Sequence, residues 1–441
     1  MSFELSRRKI AVIGAGRSGR AALHLLHALG ADVRLLEKSP ENLPEDFAAW
    51  LRASGIAVFG GEHQPEHFDG VELVIPSPGA AKAHIEPVLP LRADGSKAEI
   101  MAETEMAWRL LEGEPVIGIT GTSGKTTTTS LCSAMLEAHG LNVFTGGNIG
   151  VPLSEYVLAR LEGAAKADVV VLELSSFQLQ TCSTLRLRVG MILNVSENHL
   201  DFHKDMAEYT AAKMQLFACQ TEGDLAILAP ALAPLADEFG LKARVAFIDL
   251  EARPFPDTRL IGAHNQNNAE AAFMAASVFG VSREEAARAM REFKPIAHRL
   301  EHVADVDGVQ YVNDSKCTTV EALRVALSAF ERPVILLAGG KFKGGDLEGI
   351  KPLLASRVKA VALYGAAREH FEPAWKDAVP VTWDETLGDA LARARALAAP
   401  GDAVLLAPAT ASFDQYKNYL ARGEHFRSLV LGFAAPDRKD A

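Results

Sequence analysis

The stretch Gly118-Ile119-Thr120-Gly121-Thr122-Ser123-Gly124-Lys125-Thr126-Thr127 decides the fold of the central part of this chain. The apolar residues Pro115 to Ile119 predict a buried strand, and Thr127 to His139 predict a helix. A glycine-rich turn between two such elements offers backbone N–H groups and the positive end of a helix to an anion. Lys125 would then reach the β- and γ-phosphates of a nucleoside triphosphate, and the Thr126 hydroxyl would reach Mg²⁺.

The glycine spacing of this loop is irregular. The usual phosphate-binding pattern has a glycine five residues before Gly124, but this chain has Ile119 there, with glycines at Gly118 and Gly121 instead. The alternative interpretation is a tight strand-to-helix turn that binds nothing. We favour the nucleotide site because Gly-Lys-Thr directly after a buried strand is typical of one.

Size and charge limit the class of protein. The chain has 441 residues, of which 48% are apolar and 23% charged, as expected for roughly two or three globular domains. The net charge of -11 argues against a nucleic-acid partner, and the four cysteines lack metal-ligand spacing, which favours reduced thiols in a cytoplasmic protein. No signal peptide and no apolar run of about 18 residues is found, so we expect no export and no membrane insertion. We also expect a monomer.

Apolar strand-like runs alternate with helix-period segments along the whole chain, which is the pattern of parallel α/β sheets. We divide the chain into three parts, residues 1–100, 101–297 and 298–441. Beyond the strand before the phosphate loop, the predicted strands are Lys9–Ile13, Asp32–Leu36, Ile56–Phe59, Leu73–Ile75, Val169–Leu174, Met191–Val195, Gln310–Asn313, Val334–Ala338, Val361–Tyr364 and Ala403–Ala407.

The first part carries Gly14-Ala-Gly16-Arg-Ser-Gly19 between a predicted strand and a helix, and Glu37 ends the next strand. This is nearly the fingerprint of a dinucleotide site. The same geometry suits any pyrophosphate, because the loop recognises phosphate and not nicotinamide. A nucleotide or nucleotide-sugar ligand is therefore favoured, and NAD or an empty structural turn are the alternatives.

Three polar residues of the second part are candidates for chemistry. Glu173 ends a buried strand, which would place its carboxylate beside a Mg²⁺ held by Thr126. His199 lies in a polar loop after the following strand, where it is a metal ligand, a phosphate donor or an ordinary surface residue. Lys213 lies on a predicted helix, and the residues alone favour a solvated lysine there.

Several motifs together resemble the Mur ligases. The phosphate loop reads Thr-Gly-Thr-x-Gly-Lys-Thr, and it is followed by Gly146-Gly-Asn148-Ile-Gly150, Leu172-Glu173-Leu-Ser-Ser-Phe-Gln178-Leu and Asn313-Asp314-Ser-Lys316. The resemblance covers nearly the whole chain, and the last two motifs are those of the members that add D-glutamate. It implies a Rossmann-like N-terminal domain, a central P-loop ATPase-type α/β domain and a Rossmann-like C-terminal domain.

The resemblance also implies a reaction. An enzyme of this kind is an ATP-dependent carbon–nitrogen ligase of peptidoglycan precursor biosynthesis, which uses ATP and Mg²⁺. It transfers the γ-phosphate of ATP to the carboxylate of UDP-N-acetylmuramoyl-L-alanine, and the amine of D-glutamate attacks the acyl phosphate. The N-terminal domain would bind the UDP group, and the C-terminal domain would receive the amino acid.

Residue by residue, the resemblance implies four groups of contacts. Catalytic residues would be Lys125, Glu173, His199 and Lys213, with Thr126, Glu173, His199 and Lys213 (as a carbamate) serving the metal. ATP would contact Gly121, Thr122, Ser123, Gly124, Lys125, Thr126, Thr127, Asn268, Arg299, Asp314 and Lys316. The UDP substrate would contact Gly16, Arg17, Ser18, Glu37, Lys38, Asn148 and His199, and D-glutamate would contact Thr318, Lys343, Ser412, Phe413 and Tyr419.

The sequence departs from the family pattern at a few positions. Asn198 stands where an acid is common, which moves any local carboxylate role to Asp201, and Cys317, Thr319 and Tyr419 replace the usual Ala, Asn and Phe. These changes put the amino-acid pocket in doubt and leave the phosphate loop untouched. A ligase of the same fold using L-glutamate, and a nucleotide-binding regulatory module without catalysis, are the alternatives.

Overall fold

The computed structural model describes residues 4–80, 82–92, 94–200, 202–258 and 260–434. The chain forms two compact units. The first unit contains Met1–Pro256 and Gln266–Met290, and the second contains Asp257–Asn265 and Arg291–Ala441. The described residues form three sheets. No helix within them combines the length and the apolar character that a membrane span requires.

The first sheet belongs to the first unit. Its strands and the neighbouring helices are β1 (Lys9–Ile13), α1 (Arg17–Ala28), β2 (Asp32–Glu37), α2 (Glu45–Ala53), β3 (Ala57–Gly60), β4 (Leu73–Pro76), α3 (Lys82–Ile85) and β5 (Glu99–Ile100). The strand order is β3-β2-β1-β4-β5, and all pairs are parallel. The order reverses beside β1, so a crevice opens at the carboxyl ends of β1 and β4.

The second sheet also belongs to the first unit, and its strand order is β11-β10-β9-β6-β8-β7 with parallel pairs throughout. The elements of this region are α4 (Glu103–Trp108), β6 (Val116–Thr120), α5 (Lys125–Ala138), β7 (Val143–Gly147), α6 (Leu153–Leu161), β8 (Val169–Glu173), α7 (Ser176–Leu179), β9 (Val189–Ile192), α8 (Met206–Met214), β10 (Leu225–Leu228), α9 (Ala233–Glu238), β11 (Arg244–Phe247), α10 (Ala263–Ser277) and α11 (Arg283–Glu292).

The third sheet lies in the second unit, and its strand order is β12-β13-β17-β14-β15-β16. Its edge strand β12 is antiparallel to β13, and the other pairs are parallel. The elements are β12 (Glu301–Val306), β13 (Val309–Asn313), α12 (Val320–Ser328), β14 (Val334–Gly339), α13 (Lys351–Arg357), β15 (Val358–Tyr364), α14 (Arg368–Trp375), β16 (Val381–Asp384), α15 (Leu387–Leu397), β17 (Ala403–Leu406) and α16 (Tyr419–Ala434).

The central strands of each sheet are buried on both faces. Every residue of β6, β8 and β14 is buried, including residues that point in opposite directions along the strand. Helices therefore cover both sides of these sheets, as parallel sheets require. In these three strands the only polar side chains, Thr120 and Glu173, lie at the carboxyl ends, where the loops emerge.

The prediction of an α/β chain with parallel sheets is confirmed. Helix α5 begins at Lys125, two residues before the predicted start, because Gly124 with φ of 82° ends the turn and Lys125 is already helical. Strand β9 ends at Ile192 and not at Val195. Each sheet falls within one of the three predicted ranges, while the first two sheets share one compact unit, so the division into domains stays a prediction.

Candidate active site

The irregular glycine spacing of the phosphate loop has a packing cause. Gly118 lies inside β6, where a Cβ atom would collide with the side chain of Leu187 and approach Leu174 to 3.2 Å. Gly121 and Gly124 form the turn itself, with φ of 155° and 82°, which other residues rarely adopt. The first glycine thus serves the core, and the turn needs only the other two.

Asn194, just beyond the end of β9, organises the turn. Its Oδ1 accepts hydrogen bonds from the backbone N–H groups of Thr122 at 3.0 Å and Ser123 at 2.9 Å, and its Nδ2 donates to the Ser123 carbonyl. The sequence analysis did not single out this residue. A polar side chain directly after a buried strand was the available signal.

Two lysines converge on one carbonyl of the turn. Lys125 Nζ and Lys213 Nζ each lie 2.9 Å from the Gly121 oxygen, and Lys125 also donates to the Thr122 oxygen at 3.1 Å. Lys213 is only 1% exposed, so the solvated position that the residues alone favoured is wrong. Burial, with a smaller contribution from the Lys125 charge, lowers the pKa of Lys213 to about 7. A substantial fraction of this amine is therefore neutral at physiological pH.

Glu173 ends β8 beside the phosphate loop, since it pairs with Ile119 in the sheet register. The side chain is 2% exposed, and its Oε1 accepts a hydrogen bond from Asn148 Nδ2 at 2.7 Å. Its Oε2 is buried and has no hydrogen-bond partner among the described residues. Gly147 allows this approach, because a Cβ there would collide with the Glu173 carbonyl oxygen. A buried carboxylate oxygen without a donor is suited to a cation.

His199 lies in the loop that follows β9 and is exposed, with a left-handed backbone at φ of 57°. Its backbone N–H donates to the Asn198 side chain at 2.9 Å, and its ring packs edge-on against Phe177. Asp201 lies outside the described residues. The sequence analysis missed His203, which is 1% exposed and shares a 2.9 Å hydrogen bond with the Ser176 hydroxyl. A single histidine in a loop gave no signal to distinguish it.

Only two of the four residues predicted to hold a metal, Glu173 and His199, are common metal ligands. Among the described residues no three His, Cys, Asp or Glu side chains form a metal-binding cluster. The predicted ligands include one hydroxyl, Thr126 in the first turn of α5, and one lysine, Lys213. The unpartnered oxygen of Glu173 is the observation that fits a cation at this edge of the sheet.

The first sheet carries its glycine turn at the crevice beside β1. Gly14 has φ of 86°, and Gly19 lies so close to the Gly14 carbonyl that a Cβ would collide with it. Glu37 at the end of β2 accepts a hydrogen bond from the Ala15 N–H at 2.7 Å. The Glu37 carboxylate therefore stabilises the turn. Gly16 directly precedes α1, and no atom occupies the space that a Cβ would fill there.

The remaining predicted substrate contacts of this region are accessible. Arg17 forms an ion pair with Glu155 at 3.4 Å, and Lys38 pairs with Glu62 at 2.6 Å on the surface. Ser18 lines a small cleft together with residues from the first sheet and from α4 and α7, namely Ser77, Glu103 and Gln178. Exposed ion pairs of this kind contribute little to stability, so both cations are available to an anion.

Asn268, on α10, lies against the turn of the phosphate loop. A Cβ at Gly124 would be 2.6 Å from its Oδ1, and the side chain is 7% exposed. The first unit therefore brings Asn268 to the turn that carries Thr122, Ser123 and Lys125. Thr127 belongs to the first turn of α5, whose backbone N–H groups face the same end.

In the second unit, Asp314 follows β13 and accepts a hydrogen bond from the Leu300 N–H at 3.3 Å. Enclosure by the protein raises the pKa of Asp314 to about 7, while the hydrogen bond and the Arg299 charge act in the opposite direction. Lys316 Nζ lies 4.1 Å from the centre of the Tyr419 ring. Arg299 lies between His298 and Leu300, which both have a left-handed backbone with φ of 64° and 42°.

Four of the five predicted glutamate contacts are on loops that leave the sheet at its carboxyl edge, and the fifth, Tyr419, begins α16. Lys343 Nζ lies 6.0 Å from the Phe413 ring, and Phe413 is 65% exposed. Ser412 is buried, and its carbonyl accepts the Tyr416 N–H at 2.8 Å. Thr318 is half-buried in the turn before α12. Cations, hydroxyls and backbone amides at one edge are what a dicarboxylate requires.

Two family models match the chain. The model described as Mur ligase middle domain matches residues 119–238, and the model described as Mur ligase, glutamate ligase domain, matches residues 298–410. A UDP-N-acetylmuramoylalanine–D-glutamate ligase of Nitratidesulfovibrio vulgaris is 58% identical over 423 residues, which are 96% of each chain. The ligase of the same name from Desulfovibrio desulfuricans is 55% identical over 95% of each chain.

The fold resembles that of solved ligases. The MurF ligase of Thermotoga maritima, solved in complex with ADP, matches 98% of this chain and 100% of its own with a TM-score of 0.58. The two sequences are 16% identical, so this likeness concerns the fold alone. The matched domains, the extent of the identity to curated relatives and the geometry of the phosphate loop agree, and the chain belongs to the Mur ligase family.

Proposed function

We propose that this protein is an ATP-dependent carbon–nitrogen ligase that adds D-glutamate to UDP-N-acetylmuramoyl-L-alanine, in peptidoglycan precursor biosynthesis. The observation that carries the proposal is the convergence of Lys125 and the buried Lys213 on the Gly121 carbonyl of a phosphate loop. Phosphate binding by such a loop requires one lysine, so a second, buried amine at the same carbonyl points to a further chemical role. A relative that is 58% identical over 96% of each chain carries the name of this activity.

The phosphate loop binds ATP in this proposal. Lys125 exchanges the carbonyl oxygens of Gly121 and Thr122 for the phosphate oxygens, and the start of α5 adds its N–H groups and dipole. Asn194 keeps the turn in one conformation during this exchange, because its contacts are to the loop backbone. Asn268 would contact the base, and the resemblance to the Mur ligases assigns Arg299, Asp314 and Lys316 to ATP as well.

Magnesium would be held by Thr126, Glu173, His199 and the carbamate of Lys213, and it supplies positive charge against two negatively charged reactants. Glu173 Oε2 fits this role, because it is buried and lacks a donor. Asn148 orients the carboxylate through its bond to Oε1 and would also meet the substrate.

Lys213 acts through its neutral amine. The nitrogen lone pair attacks CO₂, an N–C bond forms, and one proton leaves to solvent, so that a carbamate anion replaces an amine. A lysine with an ordinary pKa would be protonated at neutral pH and could not react. Burial and the Lys125 charge remove that obstacle here.

The UDP group binds at the crevice of the first sheet, where Gly16, Arg17, Ser18, Glu37 and Lys38 lie. The muramoyl-alanine carboxylate then takes the γ-phosphoryl group, with ADP as the leaving group. The uncharged amine of D-glutamate attacks the acyl phosphate carbon, an amide bond forms, and phosphate and a proton leave. The chain's part is alignment and charge neutralisation, since both partners of the first step are anions.

The test is a product assay. The protein is incubated with ATP, Mg²⁺, UDP-N-acetylmuramoyl-L-alanine and either D- or L-glutamate, and the product is weighed by mass spectrometry while phosphate release is followed. We expect the glutamyl product with the D-enantiomer only. Product with L-glutamate alone would reassign the substrate, and no product with either would overturn the proposed activity.

A further inference from the structure

Arg422 is a fully buried cation in the second unit. It lies in the first turns of α16 and is 0% exposed. Its Nε donates to the Ser315 hydroxyl at 3.0 Å, and its Nη2 donates to the carbonyls of Ser315 at 2.9 Å and Thr410 at 3.1 Å. Its Nη1 lies 3.4 Å from the Gly339 carbonyl. Among the described residues no carboxylate forms an ion pair with it.

The three carbonyls belong to loops that follow three neighbouring strands. Ser315 follows β13, Thr410 follows β17, and Gly339 ends β14, in a sheet whose order is β13-β17-β14 at this point. We call the segments 314–319, 407–413 and 339–345 the strand-end loops. Arg422 therefore joins all three strand-end loops from one position at the carboxyl edge of the sheet.

Other contacts make this arrangement specific to arginine. The Ser315 hydroxyl accepts from Arg422 and donates to the Tyr419 carbonyl at 2.8 Å, which fixes the start of α16. The Thr410 hydroxyl donates to the Gly339 carbonyl at 2.5 Å. A Cβ at Gly340 would lie 3.2 Å from Arg422 Nη1, so the backbone passes close to the guanidinium. A planar group with several donors in fixed directions satisfies these acceptors together, which an ammonium cannot do.

The strand-end loops carry the four loop residues predicted to contact glutamate. Each loop contributes at least one of them, namely Thr318, Lys343, Ser412 and Phe413. Arg422 therefore contacts the backbone of all three loops that carry these predicted glutamate contacts.

Among the described residues, Arg422 forms its hydrogen bonds with neutral oxygens and no direct ion pair with a carboxylate. Carbonyl and hydroxyl oxygens satisfy its hydrogen bonds, but a buried positive charge normally has an acidic partner. Glutamate brings two carboxylates to the same edge of the sheet. An anion bound there would gain from a buried cation whose hydrogen-bond partners are all neutral, since the interaction is weakly screened inside the protein.

We propose that Arg422 is a positioning residue for the amino-acid substrate, which holds the three strand-end loops in their binding conformation and supplies positive charge behind the glutamate carboxylates. The inference rests on the proposed function, because it takes the strand-end loops as the glutamate site. It assigns Arg422 no contact with the reacting atoms.

The test compares Arg422→Met and Arg422→Lys in the full-length enzyme, with Arg395→Met as the control. Arg395 is a 40% exposed arginine of the same unit, paired with Asp307 away from the strand-end loops. The KM values for D-glutamate, ATP and the UDP substrate, the kcat and the melting temperature are measured for each. We expect Arg422→Met to raise the KM for D-glutamate by about tenfold or more and the KM for the UDP substrate by less than about twofold.

Arg422→Lys keeps the charge and loses the fork, so its KM for D-glutamate is expected to lie between those of the wild type and Arg422→Met. A folded Arg422→Met enzyme with an unchanged KM for D-glutamate would overturn the inference. A fall in melting temperature and kcat that is equal in both variants, at unchanged KM, would also overturn it, because that is the result of a purely structural role. A wild-type enzyme without D-glutamate-dependent product would instead overturn the proposed function.

If Arg422→Met does not fold, Ser315→Ala carries the test. It removes the hydroxyl that links Arg422 to the start of α16 and leaves the guanidinium and its carbonyl contacts in place. We expect a KM for D-glutamate raised by about three- to tenfold, with the KM for the UDP substrate unchanged. An unchanged KM for D-glutamate in this variant would contradict the proposal.

Discussion

The phosphate loop of the first unit and the strand-end loops of the second unit both follow parallel strands, but they are held in opposite ways. In the phosphate loop, Lys125 itself holds the turn through the Gly121 and Thr122 carbonyls. In the second unit, the buried Arg422 holds the loops, while Lys343 extends outward beside the exposed Phe413. In the proposed function, the phosphate loop thus uses a ligand-binding side chain as its own support, and the strand-end loops separate the supporting residue from the residues that contact the ligand.

This difference indicates where substitutions should change function without changing the fold. Removing a support that is also a ligand contact affects binding and local stability together. Removing a ligand contact that supports nothing affects binding alone. Five predictions, in order of decreasing expected effect, test the roles of these residues.

The largest effect is expected for Lys125→Ala. Without the ammonium group the loop loses the positively charged side chain that faces the β- and γ-phosphates, so ATP hydrolysis that depends on the UDP substrate should fall by about 10³-fold or more. Phosphate release measures it, and Lys242→Ala, a change at an exposed lysine of the same unit, is the control. Turnover near the wild-type level in Lys125→Ala would contradict the assignment of the loop.

Lys213→Met should separate activity from stability. We expect turnover to fall by about 10²-fold, because the carbamate cannot form. In the wild type, ¹³C-bicarbonate should give a carbamate signal in the ¹³C NMR spectrum, and the variant should lack it. A carbamate signal that persists in Lys213→Met would rule out this lysine as its site.

The same variant should be more stable than the wild type near pH 7. Because the folded pKa of Lys213 is about 7, the unfolded chain takes up a proton below about pH 10 that the folded protein does not, and unfolding becomes easier. Methionine removes this cost, while Lys125 still satisfies the Gly121 oxygen. In buffer freed of CO₂, where the wild-type amine carries no carbamate, we expect a gain on the order of 4 kcal/mol at pH 7 that vanishes near pH 10, measured by chemical denaturation. Equal stabilities at both pH values would exclude the buried amine as the cause.

Two glycines of one motif are expected to behave differently. Gly118→Ala should lower the free energy of unfolding by about 2 kcal/mol through its collision with Leu187, and leave nucleotide affinity unchanged in the folded fraction. Gly124→Ala, with φ of 82° and Asn268 in the way, should weaken ATP binding by about tenfold. Titration with a fluorescent ATP analogue, together with melting curves, distinguishes them. Equal losses of affinity would mean that Gly118 belongs to the binding turn after all.

The smallest effect is expected for Asp314→Asn, read as stability. The folded pKa of Asp314 is raised to about 7, so the wild type loses stability as pH rises from about 4 to about 7. The asparagine variant should lack that part of the pH dependence, so its gain over the wild type should be larger at pH 8 than at pH 5. Melting curves at pH 5 and pH 8 test this, and a larger gain at pH 5 would contradict the raised pKa.

Local sequence patterns were enough to predict eleven of the seventeen strands among the described residues, the phosphate loop and the candidate acid Glu173, while β5, β7, β10, β11, β12 and β16 were missed. The predicted features depend on runs of apolar residues and on turn residues at fixed spacing, which lie close together in the chain. The resemblance to the Mur ligases added Lys213, whose burial no local pattern showed. Family membership is confirmed, while the individual roles of the site residues stay predictions for the experiments above.

Asn194, His203 and Arg422 could not be found in this way. Each acts on a partner far along the chain, at Thr122, Ser176 and Ser315 respectively. A single polar residue in a sequence does not state which carbonyl or hydroxyl it will meet, because sheet order decides that. The order β13-β17-β14, in which β17 comes last in the chain, is what brings the loops around Arg422 together.

The separation of support from contact in the second unit bears on how this enzyme could acquire a new substrate. Because Arg422 fixes the backbone of the strand-end loops, side chains such as Lys343 and Phe413 can be exchanged without altering the course of the chain. We therefore expect that a few substitutions of exposed loop residues can change which amino acid is bound while the loop backbone stays the same. The phosphate loop offers no such freedom, since its lysine serves both purposes.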